Sequence, residues 1–126
     1  MALTFLKKLG IISPAPQYAP THVFGLAKAG EAVLIDVRDE LEIVKTGLPL
    51  GAVNIPLNAP NFAEEVQNVI KTQRIPLIAI TCLSGARSSR AVLKLQKEGV
   101  QNLVIVKGGL GRWKKADLPL TKHAFA

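Results

Sequence analysis

The sequence predicts an α/β domain built on a mainly parallel sheet, and three observations support this. Short runs rich in Val, Ile and Leu alternate with amphipathic segments from Gly30 onward. The runs are apolar on successive residues, as in strands that are covered on both faces. With 126 residues, of which 48% are apolar, the chain has the size of one domain.

The elements follow one another along the chain. Ser13–Pro20 has three prolines in eight residues, which is typical of a linker. Thr21–Ala29 has helical spacing, and Gly30 supplies a stop. Four apolar runs are predicted strands, namely Ala32–Val37, Ala52–Leu57, Pro76–Thr81 and Leu103–Val106.

Two longer helices are predicted between these strands. Asn61–Thr72 places its apolar residues on one side, and Asn61 with Glu64 resembles a capping box. Ala86–Glu98 has an apolar inner face and a basic outer face, and Gly99 supplies the left-handed residue that commonly ends a helix. Strands alternating with helices in this order favour a parallel sheet.

The domain boundaries and class follow from composition. We expect residues 1–20 to form a tail with a short strand, residues 21–120 a single domain, and residues 121–126 a second tail. No apolar stretch reaches the roughly 20 residues of a membrane span, and Met1–Ile12 carries Lys7 and Lys8 inside it, so no export signal is predicted. We expect a cytoplasmic protein whose apolar N-terminus packs on the body, or alternatively forms an interfacial helix.

Charge is distributed unevenly. The net charge is +7, but residues 1–65 contain seven acids and five bases, whereas residues 66–126 contain two acids and eleven bases. A field of this sign attracts small anions as well as nucleic acid. Because no nucleic-acid motif or aromatic interleaving accompanies it, a nucleic-acid partner is not predicted.

The chain has one cysteine, Cys82, so neither an intrachain disulfide nor a multi-cysteine metal site can form within it. An apolar run ends at Thr81, a loop containing Gly85 follows, and a helix begins near Ala86. Ligands of parallel sheets bind at the carboxyl ends of strands. Backbone N–H groups, the helix N-terminus and Arg87 would lower the thiol pKa there and favour the nucleophilic thiolate.

The hydroxyls near this cysteine have two interpretations. Ser84 and Ser88 can add donors toward the sulfur, or Ser88 can simply cap the helix. A cysteine can also be a small buried filler, but the glycine and the arginine five positions later favour the nucleophile.

Four ordered motifs resemble the rhodanese-like family of sulfurtransferases. Cys82–Ser88 matches the loop C-x-x-G-x-R-S, and Asp36–Arg38 is similar to the D-V-R strand end. Gly51–Pro56 is similar to G-A-x-N-I-P, and Gly108–Trp113 to G-G-x-x-x-W. The resemblance implies a five-stranded parallel sheet with helices on both faces.

The resemblance also implies an activity. Cys82 would carry a persulfide, the backbone of Leu83, Ser84, Gly85, Ala86 and Ser88 would form an anion cradle, and Arg87 would add charge. The sulfane sulfur would come from thiosulfate or another persulfide donor and pass to a thiol, cyanide or protein acceptor. No metal or organic cofactor is needed for this chemistry.

Three other residues have open roles. Asp36 and Arg38 would orient the loop, pair with Glu42, or form a structural ion pair without a catalytic part. Trp113 is expected in the core, because a lone aromatic residue beside a Gly-Gly turn usually serves packing.

Two other functions compete with sulfur transfer. A cysteine phosphatase or arsenate reductase also holds a thiolate in a cradle with arginine, but the phosphatase pattern has five residues between Cys and Arg, whereas Leu83–Ala86 is four. A tetrahedral oxyanion should therefore fit poorly. A non-catalytic binding module of the same fold is the other alternative.

Overall fold

The computed structural model describes residues 14–122, which form a sheet covered by helices on both faces. The strands in these residues are β1 (Gln17–Tyr18), β2 (Ala32–Asp36), β3 (Leu48–Pro49), β4 (Val53–Asn54), β5 (Leu77–Thr81), β6 (Leu103–Val106) and β7 (Leu120–Thr121). The helices are α1 (Pro20–Lys28), α2 (Glu40–Thr46), α3 (Phe62–Gln73), α4 (Ala86–Lys97) and α5 (Gly109–Lys115).

The main sheet has five parallel strands in the order β1-β6-β5-β2-β4. The predicted five-stranded parallel sheet is therefore confirmed. β2 and β5 pair along their full length, with Asp36 beside Thr81 at their carboxyl ends. These two strands therefore end side by side at the edge of the sheet where the Cys82 loop begins.

Two apolar clusters cover the sheet. Alternate strand residues such as Ile35 and Ile80 pack on one side with α3 and α4. Leu34 and Ala79 point the other way and pack with α1 and with Trp113 of α5. Trp113 is fully buried, and its indole N–H donates to the Pro119 carbonyl at 3.0 Å, so this residue lies in the core as expected.

The strand and helix boundaries differ from the sequence prediction at several places. Gln17–Tyr18, inside the predicted linker and within the segment expected to contain a short strand, is the edge strand β1 and pairs with β6. The predicted strand Ala52–Leu57 is regular only over Val53–Asn54, although the Ile55 and Leu57 N–H groups still donate to the Asp36 and Val37 carbonyls. Leu48–Pro49 and Leu120–Thr121 form a small antiparallel pair that the apolar pattern does not indicate.

The predicted capping box at Asn61 is wrong. The Asn61 side chain makes no capping hydrogen bond. A capping box instead begins α2, where the Asp39 carboxylate accepts from the Glu42 N–H and Glu42 accepts from the Asp39 N–H. Helices α2 and α5 are absent from the sequence prediction because each is only seven residues long, too short for a clear helical period.

Some of the sequence predictions concern residues beyond 14–122. The apolar segment Met1–Ile12, Ser13 of the linker and residues 123–126 lie outside the described residues. Within residues 14–122, no helix has the length and apolarity needed to cross a bilayer.

Candidate active site

Cys82 lies immediately after β5, at the carboxyl end of the sheet. The chain then turns through Leu83, Ser84 and Gly85 and enters α4. Gly85 has a φ of 132°, a region that residues with a side chain rarely adopt. This conformation turns the Gly85 N–H back toward the cysteine, which explains why glycine occupies this position of the predicted loop.

The sulfur of Cys82 is held by donors from its own loop. The Gly85 N–H donates to Cys82 Sγ at 3.0 Å. Burial, the strongest influence, raises the pKa of the thiol, but the Ser88 hydroxyl and the backbone N–H groups of Ser88, Ser84 and Gly85 outweigh it together. The net pKa of Cys82 is therefore lowered, which increases the thiolate fraction near neutral pH.

Ser88 is the buried polar neighbour of this sulfur. Its residue is 0% exposed, and its Oγ forms no hydrogen bond of ordinary distance and angle within residues 14–122. Its effect on the thiol pKa is therefore that of a nearby hydroxyl dipole that can turn toward an ionised sulfur, rather than of a formed hydrogen bond. Burying a hydroxyl without a hydrogen-bond partner costs free energy, so its presence here calls for a functional reason.

Cys82 is only 1% exposed. It nevertheless differs from an ordinary buried cysteine, because amide groups rather than hydrocarbon face part of its sulfur. Leu83, Ser84 and Ala86 form the exposed outer part of this loop.

Arg87 makes a bidentate ion pair with Glu42 of α2. Its Nη1 and Nη2 donate to Glu42 Oε2 and Oε1 at 2.6 and 2.7 Å. Hydrogen bonding to Arg87 is the main cause that lowers the pKa of Glu42 to about 2, and the same bond raises the pKa of Arg87. Arg87 lies close enough to the Cys82 sulfur to interact with its charge, but its guanidinium is directed to a carboxylate.

Asp36 and Arg38 form a second, fully buried ion pair. Arg38 Nη2 lies 2.8 Å from Asp36 Oδ2, and both side chains are 0% exposed. Arg38 also donates to the Thr46 hydroxyl and the Gly47 carbonyl at the end of α2. The alternative in which this pair engages Glu42 is wrong, because Glu42 binds Arg87; the pair instead connects β2 to α2.

The first turn of α5 forms hydrogen bonds with the backbone of the Cys82 loop. The N–H groups of Leu110 and Gly111 donate to the carbonyls of Cys82 and Leu83 at 2.8 and 3.2 Å. A Cβ on Gly109 would lie 2.5 Å from the Cys82 carbonyl oxygen, so only glycine permits this approach. The sequence indicates the glycines through the G-G-x-x-x-W motif, but not that they contact the cysteine loop.

Sequence reasoning did not identify the pairing of Glu42 with Arg87. The available signal was the Asp39–Glu42 spacing, which matches a capping box and places a helix beside the loop. Within the described residues, no group of three or more His, Cys, Asp or Glu side chains is placed to hold a metal ion.

The comparisons agree with this geometry. The model of the Rhodanese-like domain family matches residues 21–116, and the chain therefore belongs to this family. Membership of this family supports an activity of the sulfurtransferase type in general. Some of the similar proteins carry that activity in their names.

Individual relatives are distant. An uncharacterized protein, slr1261, of Synechocystis is 33% identical over 104 residues, which cover 82% of this chain and 55% of that protein. This chain thus spans little more than half the length of that relative. A sulfurtransferase of Allochromatium vinosum is 29% identical over 98 residues, covering 75% of this chain and 83% of that protein.

Solved structures share the architecture. The thiosulfate sulfurtransferase of Pseudomonas aeruginosa superposes with a TM-score of 0.68 at 25% identity, covering 85% of this chain and 20% of that one. The matched part of that enzyme is therefore 20% of a much longer chain.

Proposed function

We propose that this protein is a sulfurtransferase that moves a sulfane sulfur from thiosulfate or another persulfide donor to a thiol or cyanide acceptor through a Cys82 persulfide. The observation that carries the proposal is the Gly85 N–H at 3.0 Å from the sulfur, together with the lowered thiol pKa. Family membership supports the same class of reaction.

The first step is attack by the Cys82 thiolate on the outer sulfur of the donor. With thiosulfate, a Cys82–sulfur bond forms, the donor S–S bond breaks, and sulfite leaves with the electron pair. The backbone N–H groups of Ser84, Gly85 and Ser88, which lower the thiol pKa, stabilise negative charge before and after attack because they are already oriented. No group outside the loop has to move a proton in this step.

The second step regenerates the Cys82 thiolate. A thiolate or cyanide attacks the outer sulfur of the persulfide, the new bond to the acceptor forms, and Cys82 leaves as the thiolate that the same amides stabilise. Nucleophilic catalysis of this kind divides one transfer into two easier displacements.

Intact-protein mass spectrometry tests the proposal directly. After incubation with thiosulfate and removal of small molecules, we expect the protein to gain the mass of one sulfur atom and to lose it again on addition of cyanide. Cys82→Ser is the control and should gain nothing. Wild-type protein that remains unmodified with both thiosulfate and a low-molecular-weight persulfide would refute sulfur transfer.

One observation favours a second candidate, a non-catalytic binding module. Cys82 is 1% exposed, as in a cysteine retained for packing. Alkylation separates the two functions: a binding module should leave Cys82 unreactive toward iodoacetamide in the folded protein, whereas a sulfurtransferase should react faster than an unperturbed thiol at pH 7. Phosphatase chemistry has no comparable support, since the guanidinium of Arg87 is already bound by Glu42.

A further inference from the structure

A cleft of about 550 Å³ lies beside the Cys82 loop, and the proposed function does not account for it. Its volume is in the range of small-molecule sites. Arg87, the first lining residue of α4, lies within electrostatic reach of the sulfur. Val37 also lines the cleft, and its N–H bonds the Thr81 carbonyl one residue before Cys82. The cleft therefore begins at the loop, although Cys82 itself does not line it.

The far part of the cleft is cationic. Arg90, Lys94 and Lys97 line it, and they follow Arg87 at helical intervals of three and four residues, so all project from one face of α4. Within residues 14–122 none of the three has a salt-bridge partner. Arg87, by contrast, is neutralised by Glu42.

The cleft holds one other charge. Asp39 is the only carboxylate among its lining residues, and it accepts the Glu42 N–H of the capping box. Among residues 14–122, Arg90, Lys94 and Lys97 thus line the cleft without a salt-bridge partner, although Lys94 lies over the Phe62 ring, and the one lining carboxylate already has a backbone donor. The cleft is electrostatically suited to a ligand with more than one negative charge.

The middle of the cleft is apolar. Leu57 and Leu93 line it, and Leu93 is 45% exposed, although it lies between the cations Arg90 and Lys94 in sequence. From Arg87 to Lys94 and Lys97 the helix rises about 10 to 15 Å. A ligand that fills the cleft has a sulfur end, an apolar arm and a distant anionic end, and thiosulfate is too short to have all three.

From this arrangement we infer a binding site for an elongated organic persulfide that carries a phosphate about 10 to 15 Å from its sulfur. A phosphate is favoured over a single carboxylate because its double charge can engage Arg90, Lys94 and Lys97 together. A volume of about 550 Å³ is typical of a small-molecule site and favours a small molecule over a protein segment. This inference rests on the proposed function, since it names a donor for Cys82.

The transfer from such a donor balances without an oxidant or reductant. The Cys82 thiolate attacks the outer sulfur of R–S–SH, the Cys82–sulfur bond forms, and the donor S–S bond breaks. The thiolate R–S⁻ leaves with the electron pair. The transferred sulfur keeps its proton, so the side chain of Cys82 now ends in S–SH. The cleft contributes by holding the organic group R while the persulfide end of the donor enters the Cys82 loop.

Two probes that differ only in the phosphate test the inference. Phosphopantetheine persulfide and pantetheine persulfide have the same thiol arm. We expect kcat/KM for Cys82 persulfide formation to be roughly tenfold higher with the phosphorylated probe, which corresponds to about 1.4 kcal/mol. Lys94→Gln/Lys97→Gln should remove this preference, because it should lower the rate with phosphopantetheine persulfide far more than the rate with pantetheine persulfide.

Lys114→Gln/Lys115→Gln is the matched control, because it removes the same charge from α5, outside the cleft. It should keep the preference. Equal rates with the two probes in wild-type protein, or an unchanged preference in the cleft variant, would overturn the inference. Failure of the proposed function is distinguishable, since Cys82 would then gain no sulfur from thiosulfate or from either probe.

Discussion

At the residue scale, Glu42 controls how much positive charge Arg87 presents. The two side chains form a bidentate pair with N–O distances of 2.6 and 2.7 Å and are each less than one-third exposed. Arginine binds carboxylates and other oxyanions with the same fork of donors. While Glu42 occupies that fork, an anionic donor cannot use it, so the carboxylate is placed to set the preference between charged and neutral donors.

Glu42→Gln should therefore increase the relative rate with thiosulfate. We expect the ratio of kcat/KM for thiosulfate to that for a neutral persulfide to rise severalfold, because the freed guanidinium can attract the dianion. Glu40→Gln is the control, as it removes one charge from the same helix without contacting Arg87. A ratio that rises equally in both variants would show an effect of net charge alone.

The Cys82 pKa gives a pH prediction. Because the folded pKa is lowered, the rate of alkylation by iodoacetamide should have its midpoint below the value of about 8.5 for a free cysteine. Ser88→Ala should raise this midpoint, since it removes the side-chain group that most lowers the pKa. Ser89→Ala, whose hydroxyl donates to the Gly85 carbonyl, should move it less; equal shifts would contradict the role of Ser88.

At the scale of elements, the contact between α5 and the Cys82 loop depends on glycine. Gly109 has a φ of 54°, and an added Cβ would lie 2.8 Å or less from the backbone of Cys82 and Leu83. Gly99 has a similar φ of 83° but no atom within 4 Å of such a Cβ. The two positions therefore separate backbone strain from a collision with the loop.

Gly109→Ala and Gly99→Ala test this difference. Each should lose about 1 kcal/mol or more of unfolding free energy because alanine is strained at positive φ. Gly109→Ala alone should also slow persulfide formation by more than tenfold, since backbone atoms of the loop have to shift. Chemical denaturation and mass spectrometry measure the two effects; an undisturbed rate in Gly109→Ala would show that α5 does not hold the loop in its reactive form.

The sequence predicts the elements whose apolar pattern is long, and misses those set by tertiary contacts. The strands at residues 77–81 and 103–106 follow directly from continuous apolar runs, and the helix from Ala86 follows from its helical period. A short strand is expected within residues 1–20, but its position at Gln17–Tyr18 is set by pairing with the edge of β6, which no local pattern shows. Likewise, Cys82 and Gly85 are identifiable from spacing, but the Arg87 partner is 45 residues away and depends on where α2 packs.

At the scale of the molecule, stability comes from the two apolar layers around the sheet. Leu95 of α4 is 0% exposed and belongs to the larger cluster. Leu95→Ala should lower the unfolding free energy by about 2 to 5 kcal/mol, because it leaves a cavity. Leu93→Ala, on the same helix but 45% exposed, should cost well under half of that. Urea denaturation measures both, and similar losses would contradict the assignment of the inner face.

The ion pair between α2 and α4 also links stability of the whole molecule to pH. The pKa of Glu42 is lowered from an ordinary value of 4.5 to about 2 in the folded protein. Its stabilising contribution is therefore fully present above about pH 4.5 and is lost as the pH falls toward 2. The loss in Glu42→Gln should accordingly be measurable at pH 7 and vanish near pH 2; a pH-independent difference would contradict this linkage.

The anchoring of the Cys82 and Leu83 carbonyls by Leu110 and Gly111 has a consequence for biosynthesis. A ribosome completes the cysteine loop well before it adds the residues that fix the loop's backbone. Until about thirty further residues have left the exit tunnel, the thiol of the nascent polypeptide lacks this support. In a chain that ends before Leu110, the carbonyls of Cys82 and Leu83 therefore lack their donors, although the groups that lower the thiol pKa, in Ser84, Gly85 and Ser88, are already present.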